Sequence, residues 1–160
     1  MQKGQYGRKD RLIKTKRIDT YRPREKWPEP TRCTECNAVY TKGRWTWEPP
    51  PPGANETVCP ACRRIADHYP AGYIELRGAF FETHREELLN LVRNVEQAEK
   101  ALHPLERLIE IRQEDSQTVV TTTGVHVARR IGEALARSYE GEWTYQYGDG
   151  AKTIRARWER

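Results

Sequence analysis

Cys33-Thr34-Glu35-Cys36, followed after twenty-two residues by Cys59-Pro60-Ala61-Cys62, contains every cysteine of the chain. Two residues between sulfurs let one tight turn aim both thiolates at a common point. Two such turns at the ends of a β-hairpin complete a tetrahedron around one Zn2+ ion. Four thiolates close the coordination shell and leave no position for an activated water, so the ion expected here is structural. The competing reading of an even cysteine count is a pair of disulfides, which suits small secreted domains; an iron–sulfur centre or a redox dithiol is the other alternative. No apolar run in the first thirty residues is longer than Leu12-Ile13, so neither a secretory signal nor a membrane span is expected. That places the chain in the reducing cytoplasm, where thiolate ligands are favoured.

The 160 residues have room for one ordinary domain and a small module, and 36% hydrophobic against 32% charged residues implies a modest core. The net charge of +5 is unevenly spread. Residues 1–28 hold ten Lys and Arg against three acids, a net +7, which leaves −2 for the remainder. Residues 1–30 lack hydrophobic periodicity and read as a basic tail, disordered alone and extended where Pro23, Pro28 and Pro30 gather. Arg8, Lys9, Arg11, Lys14, Lys16, Arg17, Arg22, Arg24 and Lys26 would face phosphates there, and Tyr6, Tyr21 and Trp27 would offer stacking faces to irregular RNA.

Residues 31–68 read as the zinc ribbon. Val39 to Glu48 alternates aromatic with polar residues at strand period, which predicts that Trp45 and Trp47 cover the small face of the ribbon. Arg63 to Tyr69 reads as a short helical turn ending at Pro70.

Residues 69–160 read as an α+β domain. Gly72–Gly78 alternates as a strand with Ile74 and Leu76 on one face. Thr83 and Glu86 suit a capping box for a helix carrying Leu88, Leu91, Val92, Val95 and Leu102, which ends at Pro104. Strands are expected over 106–112 and 118–122, then a helix from Gly124 that buries Val127, Ile131 and Leu135. Two last strands flank the hairpin signal Gly148-Asp149-Gly150. The order βαββαββ is met most simply by a ferredoxin-like layer with one added strand, its helices on one face and the other face open. Arg77, Arg155 and Arg157 are expected on that open face, near an aromatic row of Trp143, Tyr145 and Tyr147. Arg63 and Arg64, beside the second knuckle, complete the candidate RNA contacts. The free amides at Gly124 and Val125 could receive a phosphate. The four histidines fall in no nucleophile or metal-hydrolase motif, and no Gly-rich phosphate loop is present, so no enzyme is expected.

Cys59-Pro-Ala-Cys62-Arg-Arg64, Tyr69-Pro-Ala-Gly-Tyr73-Ile-Glu-Leu-Arg-Gly78-Ala-Phe80 and Thr121-Thr-Thr123 running on to Leu135 resemble a bacterial family of small zinc-ribbon proteins. Some members are associated with low-oxygen and stress loci, and the family resembles the amino-terminal part of the archaeal and eukaryotic adaptor that escorts the large ribosomal subunit. The resemblance covers residues 31–160. It implies zinc at Cys33, Cys36, Cys59 and Cys62, and a surface for ribosomal RNA; the α+β layer is expected to contact RNA or a ribosomal protein. The adaptor's further cysteine pairs and β-rich domains have no counterpart here. The expectation is a ribosome-binding assembly or dormancy factor. The rivals are a DNA-binding transcriptional regulator, for which no recognition helix is evident, and a zinc-stabilised protein-interaction adaptor.

Overall fold

A computed structural model describes residues 26–160, so the tail cations from Arg8 to Arg24 lie outside the described residues. The ribbon holds four three-residue strands, β1 (Thr31–Cys33), β2 (Val39–Thr41), β3 (Arg44–Thr46) and β4 (Asn55–Thr57), followed by helix α1 (Pro60–Asp67). Their sheet order is β3-β2-β1-β4, with β4 parallel to β1 and the other pairs antiparallel. Lys42 and Gly43 both have positive φ, the backbone that a two-residue hairpin turn between β2 and β3 requires.

Trp27, Tyr40 and Trp45 pack with ring centroids 5.1–5.6 Å apart. Trp45 therefore covers the ribbon as expected. Trp27 joins it there rather than offering a face to RNA, and the folded ribbon begins before Thr31. Trp47 does something else: its Nε1–H donates to the carbonyl of Lys100, in the last turn of a helix of the second unit, at 2.6 Å. The second knuckle opens α1 three residues before the helical turn expected from the sequence. Pro60 occupies the first turn, where its missing N–H costs nothing, and the Cys59 side chain caps the helix.

The second unit runs β5 (Gly72–Arg77), α2 (Ala79–Thr83), α3 (Arg85–Leu102), β6 (Leu108–Glu114), β7 (Gln117–Thr122), α4 (Val125–Tyr139), β8 (Glu142–Gly148) and β9 (Thr153–Glu159). The protein is thus a mixed α+β structure of two sheets and four helices among the described residues. The five-stranded order is β6-β7-β5-β9-β8. In a plain ferredoxin-like layer the strand after the second helix would sit beside the first strand. Here β8 takes the edge, and its hairpin partner β9 turns back between β8 and β5, parallel to β5. The expected capping box does not form. Thr83 closes α2 and donates to the Ala79 carbonyl, and α3 starts after His84.

Helices α3 and α4 pack on each other, and α4 lies across β5, β7, β8 and β9. Ile74, Leu76, Leu88, Val92, Val120, Ile131, Leu135 and Trp158 are fully buried in one cluster between helices and sheet. Burying each large apolar side chain contributes about 1.5–3 kcal/mol, which makes this cluster the main stabilising feature of the unit. The ribbon has its own smaller cluster around the cysteines, Tyr40 and Trp45, with Leu105 of the second unit packed against it. No helix among the described residues is long and apolar enough to cross a membrane.

The pairing of β8 with β9 overturns one placement. Trp143, Tyr145 and Tyr147 are opposite Trp158, Ala156 and Ile154, so the aromatic row shares the helix side and not the face of Arg155 and Arg157. Trp143 lies over Gly132 of α4, where a Cβ would stand 2.1 Å from Cζ2 of the indole. Gly132→Ala is expected to cost about 1–2 kcal/mol in urea unfolding by overpacking, although alanine gains roughly 1 kcal/mol in a helix. In a Trp143→Ala background the same change should stabilise. An equal loss in both backgrounds would clear Trp143 as the obstruction.

Candidate metal centre

The sulfurs of Cys33, Cys36, Cys59 and Cys62 all lie within 4.8 Å of one another, and none is in a disulfide. Cys33 ends β1 and Cys36 follows in the knuckle, which the Cys33 N–H and Ala38 carbonyl close at 2.8 Å. Cys59 and Cys62 occupy the cap and first turn of α1, where unpaired amides and the helix dipole favour negative charge. The Cys36 and Cys59 sulfurs are 3.8 Å apart. That is about the edge of a tetrahedron with metal–sulfur bonds near 2.3 Å, and far beyond a disulfide. The residues present therefore fit one four-coordinate metal ion.

Hydrogen bonds prepare the sulfurs for this charge. The Cys59 N–H donates to Cys33 Sγ at 3.2 Å and the Cys62 N–H to Cys59 Sγ at 3.4 Å. Burial works against a thiolate at Cys33, but backbone N–H groups of Cys59, Cys36 and Glu35 outweigh it and bring the pKa down to about 7. At Cys59 and Cys36 burial wins and pushes the thiols up. A bound cation reverses that balance, because a coordinating thiol is deprotonated outright.

The residue that the sequence did not reveal is Arg107. Its Nη2 donates to Cys59 Sγ at 3.3 Å and to Cys62 Sγ at 3.1 Å, and the residue is only 7% exposed. Burial would lower its pKa, but the sulfurs outweigh burial and raise it. Four thiolates around a divalent ion leave excess negative charge, and a buried guanidinium offsets part of it. Arg107 precedes β6, which begins two residues later than the sequence suggested. Thr123 holds it there: the Arg107 N–H donates to Thr123 Oγ1, and the Thr123 N–H donates to the Arg107 carbonyl, both at 2.8 Å. Read as a member of an alternating strand, Arg107 would have been a surface residue.

The predicted nucleic-acid contacts are not brought together. Arg77 is paired with Glu159 at 3.0 Å and Arg157 with Glu75 at 3.2 Å. Arg155 stacks over Tyr73, 4.6 Å from the ring centroid. Arg63 donates to the Val58 carbonyl, and Arg64 is buried with a bond to the Tyr69 carbonyl. Lys26 is exposed at the start of the described residues. The phosphate reading of the α4 N-terminus is also displaced. The Glu106 carboxylate accepts from the Val127 N–H at 3.0 Å and stands where a Gly124 Cβ would be, so the protein supplies that anion itself.

Comparisons with protein-family models, curated proteins and solved structures find no match to this chain.

Arg107→Met keeps the volume and removes the donors to sulfur. Metal affinity, read by competition with a chromogenic chelator, is expected to fall about 10–100-fold. Unchanged affinity would mean that packing alone holds the guanidinium. Chelation in the wild-type chain is expected to release the Trp27–Tyr40–Trp45 packing, seen as a tryptophan fluorescence change. The amide-exchange protection of β5, β7 and β9 should persist, because their core is a separate cluster.

Proposed function

We propose that this chain is a non-enzymatic, cytoplasmic zinc-ribbon protein that binds ribosomal RNA and acts on the ribosome as an assembly or dormancy factor. The ion at Cys33, Cys36, Cys59 and Cys62 is one structural zinc. Four thiolates in a tetrahedron suit zinc or iron, and the closed shell is the usual structural use of zinc. Metal analysis of the isolated protein separates them, since a thiolate-bound ferric ion would colour it.

One observation carries the RNA reading: the formal positive charge of the chain is concentrated in the amino-terminal segment. Residues 1–28 hold a net +7, whereas Arg77 and Arg157 of the layer each face a carboxylate. The polyanion contact is therefore assigned to the tail, and the ribbon with the layer serves as its mount. Arg155 and Tyr73, with Gln146 and Tyr147, line an open depression of about 470 Å3 in which a base or a ribosomal-protein side chain could rest. A second reading, a protein-interaction adaptor, is favoured by the edge strand β8, where Tyr145 and Tyr147 are 47% and 37% exposed.

Six phosphate contacts from the tail would weaken binding on the order of 10³-fold between about 50 and 200 mM salt. Replacing Arg8, Lys9, Arg11, Lys14, Lys16 and Arg17 by Gln should flatten that slope and move the protein to the top of a sucrose gradient. Wild-type protein that fails to sediment with ribosomes at low salt would end the proposal. Tighter retention on duplex DNA than on structured RNA would favour a transcriptional regulator. Binding that survives high salt and nuclease would favour the adaptor.

A further inference from the structure

The carboxyl end of α3 and the amino end of α4 bring together Glu99, His103 and His126, far apart in sequence and with no part in the four-sulfur centre. One ligand atom from each lies within 4.8 Å of the others. His126 Nε2 is 2.9 Å from Glu99 Oε2, and the His103 and His126 rings meet edge to face with centroids 5.8 Å apart. We propose that these three side chains form a second metal site, for a divalent first-row transition ion such as zinc, cobalt or nickel. This goes beyond the RNA reading and does not depend on it.

The donor set decides the class of ion. Two imidazoles and a carboxylate suit borderline transition metals, whereas calcium and magnesium prefer all-oxygen shells. Metal–nitrogen bonds near 2.0–2.1 Å and metal–oxygen bonds near 2.0–2.2 Å put neighbouring ligand atoms about 3 Å apart. The His126–Glu99 pair already has that spacing. His103 is exposed just past the end of α3, so a turn of its ring closes the set.

Glu99 itself is the second argument. It is 7% exposed and lies in the last turn of α3, where the carbonyl end of the helix disfavours a carboxylate. It is held there by Arg130 and His126, whose side chains both reach its carboxylate. Arg130 Nε donates to Oε1 at 3.0 Å. Oε2 faces the His126 imidazole, so an ion would take the place of that hydrogen bond, with Arg130 as the group that orients the ligating carboxylate. The charge of Arg130 opposes a cation, and half-buried Glu106 lies near enough to both imidazoles to interact with them electrostatically. His84 is engaged with the Phe80 carbonyl and ring, and His68 lies in the cap of α1, so neither belongs to the set. Three protein ligands leave coordination positions open, unlike the closed shell of the ribbon.

The test uses the full, untagged chain with its ribbon loaded with zinc, titrated with cobalt and read by visible absorption. One further equivalent is expected to bind with the weak bands of nitrogen and oxygen ligands and no sulfur-to-cobalt charge transfer. His103→Asn with His126→Asn should abolish it, His68→Asn should leave it intact, and Glu99→Gln should weaken it about tenfold or more. Both histidines are exposed, so the double variant keeps the fold. No uptake by the wild-type chain, or equal uptake by the double variant, would overturn the site. Neither result bears on RNA binding.

Discussion

Four unbridged cysteine sulfurs within 4.8 Å of one another cannot comfortably all be thiolates unless a cation sits among them. That constraint governs the ribbon. Its strands are three residues long, and its apolar cluster is little more than Trp27, Tyr40, Trp45 and the cysteines' own surroundings. So small a sheet does not hold itself together in water. A metal ion held by the four sulfurs would supply what the core lacks, and the turns of the ribbon bring the sulfurs together: the knuckle after β1, the cap of α1, and the parallel β1–β4 pairing.

The same constraint reaches into the second unit through Arg107. A buried guanidinium is costly alone, and a four-thiolate centre carries excess negative charge alone. Each answers the other. Trp47 donates to the end of α3 and Leu105 packs on the ribbon cluster, so polar and apolar contacts join the two units at the α3–β6 connection. The units keep separate cores yet meet through a charged pair that neither could leave exposed to a low-dielectric interior unpartnered.

Local signals in the sequence were legible and long-range ones were not. The cysteine spacing, the inward stripes of α4 and of α3 (except Leu102, which the helix end leaves exposed), and the faces of β5 and β9 follow from periods of two and 3.6 that neighbours in sequence enforce. Strand order does not. Gly148-Asp149-Gly150 announces a hairpin, but nothing in it says which strand inserts beside β5, and that choice sends Trp143, Tyr145 and Tyr147 to the helix side. Arg107 was hidden for a related reason. In an alternating run it has the position of a surface residue, and only the delayed start of β6, clamped by Thr123, turns it toward the sulfurs. Glu99 likewise carries no mark of burial until α4 lays His126 and Arg130 against it.

Charge then separates the chain more sharply than fold does. On the open face of the layer, Arg77, Arg112 and Arg157 are each answered by a carboxylate, and Arg155 lies on a ring. Such pairs add little stability in water, yet they cancel the local field that would draw a polyanion. A face built to bind phosphate would leave its guanidiniums unpaired and their neighbours uncharged. The layer therefore contributes geometry rather than attraction. It anchors the ribbon through Arg107, and the ribbon in turn begins where the +7 segment ends. On the proposed reading, an electrostatic contact made by residues 1–28 would gain its orientation from the ribbon, with no basic surface needed on the layer.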